Sequence, residues 1–205
     1  MILNTGHKAI IADLDGTLYF QLPVRLSMLC AIVLFCLTKP HKIKEIQIVR
    51  SYRKKYEKGM EHHDRCLVLS KDYNMDVMRV ENIIQKWMID NPLRSVHKYR
   101  DKNLLLLLEE MKNKGTKIIV YSDYPVTEKL KALNFTPDVA YSADDVGCLK
   151  PSPEGLLYIL KENGLTAADC LFIGDKYEKD GKCAENAGME YIILPQGKYG
   201  RMKKP

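Results

Sequence analysis

Two carboxylates stand two residues apart directly after a short apolar run, in Ala9-Ile10-Ile11-Ala12 followed by Asp13-Leu14-Asp15-Gly16-Thr17. In an extended chain, residues two apart point the same way, so both carboxylates can face one site. Gly16 permits a sharp departure of the chain and a close backbone approach. One carboxylate of such a pair can serve as a nucleophile and the other as a general acid and base. The segment alone also suits an Asp-Gly turn. A calcium loop fits poorly, because no third acidic or amide residue precedes the glycine.

The elements that must position these residues are legible as alternating strands and helices. Lys8 to Ala12 reads as a strand covered on both faces, and Lys117 to Tyr121, Cys170 to Ile173 and Tyr191 to Leu194 read likewise, with Val139 to Ser142 a weaker strand. Helical patterns lie between them: Lys102 to Lys114 closed by Gly115, Val126 to Leu133, Pro153 to Asn163 closed by Gly164, and Lys179 to Ala187 closed by Gly188. This alternation predicts an α/β fold with a Rossmann-like, three-layer parallel sheet. Between about Phe20 and Tyr99 no strand is expected. Helices are predicted from Pro23 to Leu37, from Ile43 to Lys58 ending at Gly59, and from Met75, capped by Asn74, to Ile89 before Pro92. The sequence therefore predicts a core of residues 1–19 and 100–205, with an all-helical domain of residues 20–99 inserted after the first strand.

The first segment resembles the first motif of the haloacid dehalogenase-like hydrolases, and three further motifs follow in the family's order. Ser122 in Val120-Tyr121-Ser122-Asp123-Tyr124-Pro125 matches the second, and Lys150 in Leu149-Lys150-Pro151-Ser152-Pro153 the third. Gly174-Asp175-Lys176-Tyr177-Glu178-Lys179-Asp180, with Asn186-Ala187-Gly188, matches the fourth. The resemblance covers residues 1–19 and 100–195. It implies a helical cap between the first and second motifs, and phosphoryl transfer with Asp13 as nucleophile.

The residue types suit that chemistry. A phosphoryl group shielded by negative oxygens needs positive charge before a carboxylate can attack it. Asp13, Asp175 and the backbone carbonyl of Asp15 are hard oxygen ligands suited to Mg²⁺, and Lys150 supplies a compact cation. The Ser122 hydroxyl and following N–H groups would hold phosphoryl oxygens. Asp15 would protonate the leaving oxygen and then activate water, which calls for a pKa raised by Asp13 and by burial. The resemblance implies that Thr17 orients this loop and that Asp180 supports the metal's waters or Lys150. Thr17, Tyr19, Gln21 and Asp123 are expected to contact substrate. Taken singly, Ser122 could be a helix cap, Lys150 a loop lysine and Asp175 a turn residue.

Within the family, Asp15 speaks against dehalogenation, since a leaving halide needs no proton. Thr17 leans toward a phosphatase acting on a small phosphorylated metabolite. The alternatives are a phosphomutase, or a module that only binds a phosphorylated ligand.

Bulk properties set the remaining bounds. A chain of 205 residues, 46% hydrophobic and 28% charged, is ordinary for a globular protein. Six cysteines without a C-x-x-C pair suggest neither a zinc site nor a redox motif, and point to a reducing cytoplasm. The histidines form no H-x-x-x-H or triad pattern. Residues 20–100 hold 16 Lys and Arg against 8 Asp and Glu, which suits either an anionic substrate or a solvated helical face. No signal peptide is expected. The apolar run Leu26 to Leu37 falls short of the roughly 20 residues of a membrane span. It reads as a buried helix packing the insertion's core, with peripheral membrane contact the lesser alternative. No nucleic-acid partner is expected, the chain should be a monomer or homodimer, and Gly197 to Pro205 reads as a mobile basic tail.

Overall fold

The computed structural model describes residues 6–56 and 60–194. The expected helix end at Gly59 and the basic tail lie outside them. In chain order the elements are β1 (Ala9–Ala12), α1 (Gln21–Thr38), α2 (Ile43–Tyr56), α3 (His62–Tyr73), α4 (Val77–Ile84), α5 (Asn91–Lys98), α6 (Lys102–Asn113), β2 (Lys117–Ser122), α7 (Thr127–Leu133), β3 (Val139–Ser142), α8 (Ala143–Val146), α9 (Glu154–Glu162), β4 (Cys170–Gly174), α10 (Lys182–Asn186) and β5 (Glu190–Ile193). They divide into two compact units, one up to Leu22 and from Val96 onward, the other Pro23–Ser95.

The first unit is an α/β unit built on a five-stranded parallel sheet in the order β3-β2-β1-β4-β5. The chain builds outward from β1 through β2 to β3, then crosses to β4 and β5 on the other side. The order therefore reverses between β1 and β4, the crevice where open α/β sheets bind ligands. β1 is fully buried, as its uninterrupted Ala-Ile-Ile-Ala requires of a central strand. Alternate residues Ala9, Ile11, Ile119, Tyr121, Cys170 and Phe172 share one sheet face and pack with Leu156 and Ile159 of α9 and Cys183 and Ala184 of α10. The two connections to the insertion run side by side, through an antiparallel bridge of Tyr19 with Arg100 and hydrogen bonds Phe20 N–H to Tyr99 O and Asp101 N–H to Leu18 O, both 2.9 Å.

Asp138 ties β2 to the start of β3. Its carboxylate accepts from the Ile118 N–H at 2.8 Å and from the Lys112 Nζ at 3.1 Å. Burial opposes its ionisation, but the Ile118 N–H and the Lys112 ammonium outweigh this and hold its carboxyl below the ordinary value. A depressed folded-state pKa contributes stability above the unfolded pKa, and that contribution is lost as pH falls through the folded one. The stability advantage of wild type over Asp138→Ala should therefore shrink as pH falls from about 5 toward about 2. Urea midpoints measured across that range would show it, and a pH-independent difference would contradict this account.

The second unit is helical. Ile48 and Tyr52 of α2, Cys66 and Leu69 of α3, and Val80, Ile83 and Ile84 of α4 close around Trp87. Phe35 of α1 meets the Trp87 ring edge-on at 4.9 Å. Three local expectations are corrected. Asn74 is the left-handed C-cap of α3, and Asp76 caps α4 by accepting from the Arg79 N–H at 3.2 Å. The helix does not stop before Pro92: Gln85–Asp90 is wound as a π-helical turn leading into α5, which accommodates a proline that has no N–H to donate. The third correction is α1, expected to be buried: Val24 is its one buried residue, and Leu26, Leu29, Val33, Leu34 and Leu37 are exposed.

Candidate active site

The ends of β1, β2 and β4 deliver the first side chains of the site. Asp13 follows β1 directly, with its N–H donating to Ile173 O at 2.8 Å, Ser122 ends β2, and Asp175 follows β4. Because β1 lies between β2 and β4 in register, these three residues come to one edge of the sheet. Gly16 has φ of +107°, and a Cβ there would stand 2.2 Å from the Asp175 Oδ2, so the turn after Asp15 can carry only glycine.

Asp13 is 4% exposed and held at both oxygens. Lys150 Nζ donates to Oδ1 at 2.5 Å and Thr17 Oγ1 to Oδ2 at 2.9 Å. Lys150 also donates to Asp180 Oδ1 at 2.6 Å, while Asp180 Oδ2 accepts the N–H groups of Asp175 (3.1 Å) and Lys176 (3.0 Å). Asp180 reaches this place because Tyr177–Gly181 forms a π-helical turn that starts two residues after Asp175, past the extended Lys176. The result is three buried carboxylates, Asp13, Asp175 and Asp180, with ligand atoms within 4.8 Å of one another, two of which, Asp13 and Asp180, pair with the buried Lys150 ammonium. Burial pushes the Asp13 carboxyl above its ordinary value, with Lys150 pulling the other way and Asp180 adding repulsion. Burial disfavours the Lys150 charge, but Asp13, Asp180 and Asp123 outweigh it and hold that ammonium above its ordinary value.

Asp15 lies apart from this carboxylate cluster. Lys129 of α7 donates to both its oxygens, at 2.6 and 2.7 Å, and the Tyr19 hydroxyl donates to Oδ1. Ser122 Oγ approaches Oδ2 at 3.5 Å. Burial works against ionisation of Asp15, but Lys129 and Tyr19 overcome it and lower its pKa. The expected raised value is thus reversed in this conformation, because the neighbour that dominates Asp15 is a cation and not Asp13.

Other expected residues fall in different places. Asp123 is buried and braces the Lys150 loop, accepting from the Lys150 N–H at 3.0 Å and from Lys179 Nζ at 2.9 Å. Ser122 caps no helix; its Oγ accepts the Tyr124 N–H at 3.2 Å. Gln21 is the first residue of α1, half-buried, and joins none of these hydrogen bonds. Lys129 and Lys179 were not foreseen. Both look like ordinary helix-surface lysines in sequence, and only the fold turns them toward acidic partners.

The sequence pattern of the family described as "Hydrolase: haloacid dehalogenase-like hydrolase" matches residues 7–188. The chain belongs to this family. Among curated proteins, the glyceraldehyde 3-phosphate phosphatase of Methanocaldococcus jannaschii is 35% identical over 101 residues, 47% of this chain and 44% of that protein. The chain thus matches less than half of that relative's length. Two solved structures share the haloacid dehalogenase-like fold. The 2-haloacid dehalogenase of Pseudomonas syringae pv. Tomato DC3000 gives a TM-score of 0.64 at 20% identity, covering 92% of this chain and 86% of that one. The HAD-hydrolase YfnB of Bacillus subtilis, bound to magnesium, gives 0.62 at 16%, covering 93% and 89%. One relative is named a phosphatase and one fold neighbour a dehalogenase, so family membership establishes a hydrolase and leaves the scissile bond to be argued from the site.

Proposed function

We propose that this hydrolase is a Mg²⁺-dependent phosphatase that cleaves a small phosphorylated metabolite through an aspartyl-phosphate on Asp13. The observation that carries this reading is the pairing of two unlike carboxylates at one strand end: Asp13 in a buried cluster with Lys150, and Asp15 beside it in a separate polar nest. A dehalogenase needs only the first of these.

Three clustered, buried carboxylates, two of them paired with the Lys150 ammonium, form an oxygen-rich donor set that suits a hard divalent cation. Asp13 and Asp175, with Asp180 beside them, would hold Mg²⁺, which when bound offsets the repulsion between the nucleophile and a phosphate. The remaining work falls to the chain. An Asp13 oxygen forms a bond to phosphorus as the bond from phosphorus to the leaving oxygen breaks, and the Asp15 carboxyl passes its proton to that oxygen. Water then attacks phosphorus, gives its proton to Asp15, and the bond to Asp13 breaks. Lys150 and Thr17 keep the Asp13 carboxylate oriented, and Ser122 with the N–H groups after it is suited to phosphoryl oxygens. Since Lys129 and Tyr19 hold Asp15 ionised, arrival of substrate has to loosen that pair before Asp15 can act as an acid. The six free cysteines accord with a reducing, cytoplasmic setting.

Release of inorganic phosphate from an aryl phosphate should require Mg²⁺ and stop in EDTA. No release from any member of a panel of phosphorylated metabolites, with Mg²⁺ present, would overturn the phosphatase reading.

A further inference from the structure

We propose that the outer face of α1 is a docking surface for an anionic membrane, lying in the headgroup plane without crossing it. On a helical wheel of 100° per residue, Leu26, Leu29, Cys30, Val33, Leu34 and Leu37 fall within an arc of roughly 140°. All six are exposed, Leu34 by 63% and Leu37 by 75%. The opposite side is already used: Val24 is buried, and Ile32 and Phe35 pack against the core of the helical unit. An apolar stripe of this size left in water calls for a partner.

Charge identifies that partner. From Gln21 to Lys44 the chain has no acidic residue, and Arg25, Lys39, Lys42 and Lys44 stand at the two ends of the apolar stripe. Arg25, Lys39 and Lys44 are exposed, and the exposed Ile43 extends the apolar surface beyond Pro40. The first carboxylate, Glu45, is engaged by Lys86 at 3.1 Å. An apolar band with cations at both ends matches acyl chains bordered by anionic headgroups. A second copy matches less well, because pairing α1 with α1 in either direction brings cations against cations. By length and composition the helix could cross a membrane, but its inward face is committed to packing against the helical unit, so it suits lying on a bilayer and not spanning it.

The test is co-sedimentation of the full chain with phosphatidylcholine vesicles, with and without phosphatidylserine. Binding is expected to the serine-containing vesicles and to weaken as salt rises. Lys39→Gln/Lys42→Gln/Lys44→Gln should reduce apparent affinity about tenfold or more. Leu29→Gln/Val33→Gln/Leu37→Gln should abolish pelleting while the circular dichroism spectrum and urea midpoint stay those of wild type, since these side chains face water. Three results would overturn the proposal: no pelleting with either vesicle, pelleting unchanged by the apolar substitutions, or a lipid-independent dimer that those substitutions dissolve.

Discussion

Asp13→Asn is expected to lower turnover at least ~10³-fold, because an amide oxygen is a poor nucleophile and the covalent step disappears. The change is nearly isosteric, and the Asp13 oxygens sit within 2.5 Å of Lys150 Nζ and 2.9 Å of Thr17 Oγ1, so the loop should keep its course. A folded, inactive protein is therefore the expected result. Two readouts separate chemistry from damage. Rapid acid quench of the wild type with substrate should trap a phosphorylated chain by mass, and the variant should show none. If the variant retained activity within tenfold of wild type, Asp13 would not be the nucleophile, and the mechanism built on it would fall.

Lys150→Met should cost both stability and activity. The methionine can fill most of the space, but it leaves Asp13 and Asp180, with Asp175 close by, buried without the cation they share. Removing one partner from a buried, hydrogen-bonded charge cluster typically costs about 3–5 kcal/mol. Urea unfolding in EDTA should show a loss of that order, and Mg²⁺ should recover part of it by restoring positive charge to the carboxylates. Turnover should also fall, since the nucleophile loses the donor that orients it. An unfolding midpoint equal to wild type in EDTA would mean that Lys150 does not balance this cluster.

The strands were legible because a buried parallel strand leaves a strong local record: Ala9–Ala12, Lys117–Ser122 and Cys170–Gly174 are apolar runs ending at Asp, Ser and Gly-Asp. Three of the four motifs stand at the ends of those runs. The helical unit was less legible where local and long-range forces compete. Asn74 looks like an N-cap from its neighbours, yet it adopts the left-handed conformation that ends α3, and Pro92 sits in the first turn of α5, directly after a π-helical turn. For α1, the apolar composition was plain, but composition cannot say whether a helix faces a core or faces outward.

What the sequence determined by itself was the set of candidate site residues: two acids at one strand end, a serine, a lysine and a second acidic pair, which the parallel sheet and its loops bring to one edge. What only the tertiary structure decided was which charges touch. Asp13 and Asp180 share Lys150 across the fold, whereas Asp15 is taken by Lys129, a residue 114 positions away. Electrostatic influence depends on distances of a few ångströms and on exclusion of water, neither of which is encoded in spacing along the chain. That is why the sign of the Asp15 pKa shift could be reversed while its position was foreseen.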